Sequence, residues 1–408
     1  MSTEQIGQQL PRANASNLSK RLLFFSHEDW DDVWRRNQFI CAELTQRHPD
    51  LSILWVCRPI DVPYSLARRK MDEIKTIKLA PHTVPEFPGI KVIKPIKLLP
   101  NRMGKSFNSW LISYNVRKIL QASKWDDFAV WINFEQVIHC FPLPGASKLI
   151  YDITDDWTQQ DQLEHHRQAL LDDTEALLQR ADHVIVCSPR LYEGKVGKCR
   201  GALSLISNGV DHQKYHPDAL ARLSAPPDVA AIKKPVVGYI GTLHSTRLDL
   251  PLIAAAADLL PQVSFVFIGP NCLTGDELQL LNKHNIHFLG ARKYSQLPSY
   301  MSWFDCCMTP HLVNNFTDSL DPLKLYEYMS TGKPIVSTPC SGFRQLHELI
   351  SVAGTPAEFA AAIEREVKVA DPARAEQRVK WASQHSWATR IDQIERLLGW
   401  APSAAAGK

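Results

Sequence analysis

The chain lacks most of the features that would assign it a class at sight. No apolar run approaches the ~18 residues that cross a bilayer, and the first twenty residues are polar, without the apolar segment of a secretory signal. Cysteine is sparse and odd in number, nine in 408 residues, so a disulfide scaffold is excluded. Cys57, Cys187, Cys306 and Cys307 stand inside apolar runs and read as reduced core thiols of a cytoplasmic protein. No G-x-G-x-x-G follows a strand, which argues against a dinucleotide-dependent oxidoreductase. Gly332-Lys333-Pro334 has the Gly-Lys of a phosphate loop but neither the loop before it nor the hydroxyl after it. His347-Glu348 has no second His at zincin spacing, and no C-x-x-C pair or G-x-S-x-G elbow occurs. No metal site and no bound cofactor are therefore expected.

What remains is an ordinary globular balance, 45% hydrophobic and 22% charged, in a chain long enough for two domains at roughly 150 residues each. Short apolar runs alternate with segments of 3.6-residue periodicity. Strands are predicted at 22–26, 53–57, 92–94, 128–132, 149–153, 184–187 and 203–206, and again at 236–240, 264–268, 286–289, 305–308 and 334–337. Helices such as 34–47 and 250–260 lie between them. That alternation predicts parallel sheets covered on both faces. Residues 211–235, with Pro217, Pro226, Pro227 and Pro235, have linker composition and separate the two series. Residues 1–19 and 401–408 read as loose tails.

Three segments of the second half carry chemistry. Ile206-Ser-Asn-Gly-Val-Asp211, followed by Tyr215-His-Pro217, is a turn at a strand end. Pro235 to Asp249 runs a buried strand into a loop with Gly238 and Gly241, and a helix starts near Leu250. Glycine at such a turn lets backbone amides approach an anion, and Arg247 stands within reach of the same anion. In the third, Asp321 is placed to cap a helix beginning at Pro322 and ending near Ser330. Lys324 and Glu327 share one face of its first turns. With the amides of Leu323 and Lys324 they offer donors and a cation to a diphosphate, and a carboxylate to paired hydroxyls.

Together these segments resemble the nucleotide-sugar half of retaining glycosyltransferases of the GT-B type, in particular glycosyltransferase family 4. Phe288-Leu-Gly290 with Tyr300 and Phe304-Asp305, Asp321 to Thr338, and Ser386-Trp387 with Arg390 extend the likeness over about 200–390. The resemblance implies two Rossmann-like domains across a cleft: 20–210 for the acceptor, 211–385 for the nucleotide-sugar, and a last helix, 386–400, returning to the first. It implies a hexosyltransferase reaction with retention of configuration, a UDP- or GDP-sugar donor, and Glu327 on the donor ribose. Gly241, Arg247, Asp321, Leu323 and Lys324 complete the donor set. Two positions depart from the family: the first of its paired glutamates is replaced by Ser319, and no lysine follows Arg247.

Ligands of such sheets bind beyond the carboxyl ends of strands, which brings forward His27, Glu135, Asp152 and Asp155 for the acceptor. Asp152 to Trp157 also resembles a phrase of the subgroup that builds teichuronic acid and other envelope polysaccharides. Asp155 is the residue expected to orient a reacting hydroxyl, alongside Arg247 and Lys324 on the leaving diphosphate. Between Arg58 and Lys105 there are eleven Lys or Arg against four Asp or Glu, in a chain whose net charge is +3. That stretch suggests an anionic partner, whether phosphate, nucleic acid or an acidic membrane surface, and the resemblance implies an anionic membrane surface or a polyprenyl-linked acceptor and no nucleic acid. The protein is thus expected in the cytoplasm, peripheral at the inner face of the membrane. Trp110, Ile112 and Tyr114 read as a core face of a helix. A GT-B nucleotide-sugar epimerase and a non-catalytic nucleotide-sugar-binding scaffold are the alternatives.

Overall fold

The computed structural model describes residues 20–159 and 164–400. The expected tails, 1–19 and 401–408, lie outside them. The first half contains β1 (Arg21–Phe25), β2 (Ser52–Val56), β3 (Ile60–Asp61), β4 (Lys78–Val84), β5 (Phe87–Lys94), β6 (Ile96–Lys97), β7 (Phe128–Ile132), β8 (Ala146–Ile153), β9 (His183–Val186) and β10 (Ala202–Leu205). Eight of these form one sheet in the order β10-β9-β8-β7-β1-β2-β5-β4, and β3 pairs with β6 in a separate ribbon. The second half contains β11 (Val236–Ile240), β12 (Ser264–Ile268), β13 (Ile286–Gly290), β14 (Cys306–Thr309), β15 (Ile335–Ser337) and β16 (Ser351–Val352), in the order β13-β12-β11-β14-β15-β16. The result is a pair of Rossmann-like α/β units, the GT-B architecture.

The central strands are continuous apolar runs because helices cover both faces. All five residues of β7, and all five of β11 and of β12, are buried. One core lies under the first sheet and another under the second. A third runs through both halves, from Phe24 and Trp55 to Val236, Ile268 and Trp400. Helix Trp387–Leu398 seals this junction by packing on helix Arg36–Arg47. Phe39 and Trp387 stack at 4.9 Å, and Arg47 reaches Asp392 at 2.6 Å and the buried Glu395 at 3.2 Å.

Every predicted strand is present within a few residues of its expected bounds, but the first sheet is not purely parallel. β4 pairs antiparallel with β5 at the edge. Its sequence shows no alternation because all but one of its residues are exposed or half-exposed, and it contains a proline that an edge strand tolerates. The segment 211–235 is not a free linker either. It forms three one-turn helices, and their Tyr215, Leu220 and Val229 are buried. Trp110 and Tyr114 are 58% and 49% exposed and only Ile112 is buried, so the expected core face is largely a surface.

Candidate functional site

The donor-side residues converge where β11 ends and helix Leu323–Ser330 begins. The loop after β11 is docked at both ends: Gly241 N donates to Ile268 O and Asp249 N to Pro310 O, both at 2.9 Å. Asp249 then caps helix Leu250–Leu259 by accepting from Leu252 N at 3.0 Å. Gly241 has φ +152°, and a Cβ there would stand 3.1 Å from the Tyr239 hydroxyl and 3.2 Å from Lys324 Nζ. Glycine at 241 is thus what allows the Lys324 ammonium to rest on the loop. That ammonium also lies 5.0 Å from the Tyr239 ring centre. Tyr239 in turn hydrogen-bonds His311 Nε2 at 3.2 Å, leaving His311 Nδ1 buried without a partner.

The electrostatics of this cluster are unbalanced. Burial and then repulsion by Arg247 bring Lys324 down to about 8, with Glu327 opposing. Burial, reinforced by Lys324 and Arg247, keeps His311 far below the usual histidine range. Burial lifts Glu327 to about 7 against the pull of Lys324, Tyr215 and Lys214. Glu327 accepts from the Tyr215 hydroxyl at 3.3 Å. Cations facing one another in a partly desolvated space are stabilised when an anion enters. The helix adds the amides of Leu323 and Lys324, which have no intrahelical acceptor.

Two expectations on this side are corrected. Asp321 does not cap the helix, whose cap position is Pro322. Its carboxylate is taken up instead by Asn208 N at 2.5 Å and the Tyr326 hydroxyl at 2.7 Å, so it ties the two halves together rather than facing a donor. Ser319 has no carboxylate substitute beside it, since Asp318 pairs with Arg344 at 3.0 Å and Arg190 at 3.3 Å. Ser319 itself is 2% exposed, accepts from Asp156 N at 3.3 Å, and its carbonyl accepts from Ser188 Oγ at 2.6 Å.

Across the cleft, Asp155 Oδ2 lies 3.9 Å from Arg247 Nη2, so the structure brings these two residues together. Burial raises the Asp155 pKa, and Arg247 opposes the rise. Nearby Glu28 is lifted to about 7 by burial, with Arg35 pulling it down and Asp155 pushing it up. Asp152 does not belong to this group. It is 1% exposed, and Arg36 holds both its oxygens, Nε at 3.1 Å and Nη2 at 3.4 Å. Its place in the chain looked like that of Asp155, but the alternation along β8 turns it into the core, where it anchors Arg36 and through it Asn208 at 3.1 Å.

His27 and Glu135 line a cavity of about 890 Å³ in the first half. His27 stacks on Trp157 at 5.2 Å, its Nδ1 is buried without a partner, and burial with the charges of Arg58 and Arg35 brings it to about 4. Glu135 accepts from the Tyr151 hydroxyl at 3.0 Å. A separate cavity of about 1210 Å³ at the junction is lined by Trp30, Trp34, Lys214, Tyr294 and Trp387 and holds none of the expected donor residues. Sequence reasoning missed Arg36 and His311, because their partners Asp152 and Tyr239 lie 116 and 72 residues away; Glu28 belongs to the polar cluster 26–29 that follows the first strand.

Comparison with known proteins bears on the fold and on the second half of the chain. Residues 234–368 match the family model described as glycosyl transferases group 1. A Bacillus subtilis (strain 168) protein assigned by name to teichuronic acid biosynthesis, the glycosyltransferase TuaH, is 26% identical over 290 residues, 66% of this chain and 71% of that one. Sucrose-phosphate synthase from Thermosynechococcus elongatus superposes with a TM-score of 0.65 at 16% identity, over 93% of this chain and 98% of that chain. Anabaena Alr3699/HepE in complex with UDP and glucose gives 0.63 at 19% identity, over 93% and 99%. The chain has the GT-B fold, and residues 234–368 of its second half are similar to glycosyl transferases group 1.

Proposed function

We propose that the protein is a hexosyltransferase that moves a sugar from a nucleoside-diphosphate sugar, with UDP or GDP as the leaving nucleotide, to a hydroxyl of a glycan or polyprenyl-linked acceptor in cell-surface polysaccharide synthesis. The observation that carries this reading is the pair Lys324 and Arg247 at the Gly241 loop, with Glu327 one helical turn on. The barrier lies in the charge that grows on the departing diphosphate. Arg247, Lys324 and the amides of Leu323 and Lys324 are held in place before that charge appears, so they need no reorganisation to stabilise it. Glu327 receives the ribose hydroxyls, and Asp155 orients the reacting hydroxyl from the opposite side of the cleft. The reading assigns no metal to this chemistry. Retention of configuration rests on the resemblance of the donor half and is tested by the anomeric proton coupling of the product.

Thermal unfolding with UDP, GDP and their sugars tests the donor. A ligand at 100 times its dissociation constant adds ~2.7 kcal/mol of stability, and no change in unfolding temperature with any nucleotide at millimolar concentration would refute the reading. Ser319, where the family has a carboxylate, favours a second reading as a nucleotide-sugar-binding scaffold. Binding with neither transfer nor isomerised nucleotide-sugar would support it, and isomerised sugar alone would favour an epimerase.

By the same reading the protein sits peripherally at the inner face of the membrane. Phe107, Trp110 and Tyr114 share one exposed face of helix Asn101–Ala122, with Phe107 tilted on Trp110 at 5.8 Å and Trp110 stacked on Tyr114 at 5.6 Å. Lys105 and Lys118 are exposed beside them. Such a face suits the boundary of an anionic bilayer. Co-sedimentation with phosphatidylglycerol vesicles but not phosphatidylcholine vesicles, lost in Trp110→Ser, is the expected result.

A further inference from the structure

The cavity of about 890 Å³ in the first half has a charge problem that the donor chemistry does not use. Lys97 lies on its wall and is 9% exposed. The ribbon puts it there: β6 pairs with β3, Asp61 opposite Lys97, so the lysine is carried off the main sheet and over the cavity. Its ammonium donates to Gln136 Oε1 at 2.9 Å and has no ion pair among the described residues. Asp61, opposite it in the ribbon, opposes the loss of its charge but forms no ion pair with it, its carboxylate capping the next helix by accepting from Tyr64 N at 3.0 Å. Burial and the repulsion of Arg58 and Lys105 bring Lys97 down to about 8, against the pull of Asp61. Both of those cations line the same cavity.

The acids present do not neutralise them. Asp173 is occupied by His139 at 2.6 Å and Lys105 at 3.3 Å. Glu135 is buried against Tyr151, and burial pushes its pKa up, towards the neutral acid. Among the described residues Arg58 and Lys97 therefore line one concave space with no ion pair to a carboxylate. A buried ammonium without a counter-ion is costly, and the arrangement is relieved when an anion occupies the cavity.

We propose that this cavity binds a phosphate or diphosphate group of the acceptor through Arg58, Lys97 and Lys105. The proposal rests on the transferase reading and deepens it by naming the acceptor's chemistry. The position suits that role. At one end His27 and Trp157 line the cavity, and Trp157 faces Phe316 at 5.7 Å, whose ring lies 5.5 Å beneath the Arg247 guanidinium. At the other end Lys105, Ser109, His139 and Cys140 also line a smaller cavity of about 460 Å³ that reaches Trp110, Tyr114 and Arg117. An anion held at Lys97 thus stands between the donor phosphates and the aromatic face, with a route for an apolar tail along the helix.

Calorimetric titration of the full chain with inorganic pyrophosphate tests this. Two sites are expected in the wild type. Arg58→Gln, an exposed position where folding is not at stake, and Lys97→Met should each weaken one site at least tenfold and leave the other unchanged. Lys324→Met should do the reverse. A single site lost only in Lys324→Met would overturn the cavity proposal and leave the donor reading standing, whereas a single site lost only in Arg58→Gln would overturn the donor reading. Farnesyl diphosphate names the source. Tighter binding than pyrophosphate at the Arg58 site, abolished by Trp110→Ser, identifies a lipid diphosphate. Equal binding identifies a water-soluble phosphorylated acceptor. No difference between wild type and Arg58→Gln with either probe would refute the anion site.

Discussion

Replacing Lys324 with Met should make the empty protein more stable and the donor complex weaker. Methionine keeps the length and the apolar stem of the side chain and removes only the charge. In the folded chain the ammonium titrates at about 8 instead of its ordinary 10.5, because burial and Arg247 disfavour the charged form. A tenfold change in proton affinity is worth about 1.4 kcal/mol. The whole displacement therefore sets a ceiling of about 3 kcal/mol, and residual solvent at this half-buried side chain brings the expected gain to about 1–2 kcal/mol. The sign follows from proton counting. Between 8 and 10.5 the unfolded chain binds more protons than the folded one, so wild-type stability rises with pH across that window. The advantage of Lys324→Met is therefore largest below pH 8, shrinks as pH climbs, and is gone near 10.5. Binding runs the other way: losing one charge-assisted hydrogen bond to a diphosphate costs about 1.5–3 kcal/mol, or roughly 10- to 150-fold in Kd. Urea unfolding at about pH 7 and pH 10, with UDP and GDP titrations at neutral pH, reads both effects. A variant that is less stable at neutral pH, or one that binds nucleotide diphosphate as well as the wild type, would show that the ammonium is neither an unmatched charge nor part of the donor site.

Glu327→Ala should weaken nucleotide-sugar binding by about 1–3 kcal/mol, the cost of leaving buried hydroxyls unpaired; equal affinity by calorimetry would remove Glu327 from the donor site. Asp152→Asn leaves the buried Arg36 guanidinium without its partner and should cost about 3–5 kcal/mol of stability, read as a fall in the urea midpoint; an unchanged midpoint would mean that the pair is not what holds the junction. Ser319→Glu puts a carboxylate into a contact 2% exposed, beside Asp155 and Asp156, and should lower stability by several kcal/mol; a variant with wild-type stability and higher transfer would show that the site tolerates the missing acid.

The strands of both sheets were legible because buried parallel strands are uninterrupted apolar runs, and the runs at 128–132, 236–240 and 264–268 match the observed strands residue for residue. β3, β4, β6 and β16 were not, being either two residues long or almost wholly exposed. The donor cluster was legible for a related reason. Lys324 and Glu327 share a helix, and Gly241 ends a strand, so local spacing alone relates them. Asp152 and Asp155 show where that reasoning stops. Three residues apart at the end of one strand, Asp152 inside β8 and Asp155 beyond it, they differ in fate because Arg36, 116 residues away, claims one of them. Lys97 is the converse, since the basic stretch was visible but only the pairing of β3 with β6 aims one lysine into a cavity.

Ser319 bears on both sides of the cleft at once. A glutamate there would have to occupy a contact whose hydroxyl and carbonyl are already used by Asp156 and Ser188 of the first half. The halves therefore meet more closely at this point than a glutamate side chain would allow. Asp155 stands across the cleft, 3.9 Å from Arg247, and its charge helps to push the buried Glu28 up to about 7. Arg247 draws both carboxyls the other way. Binding of a diphosphate would compete with Asp155 for Arg247 and so lower the positive charge that Asp155 and Glu28 now feel. Both carboxyls would then move towards their protonated forms as a diphosphate binds, which couples the two sides of the cleft through a single arginine.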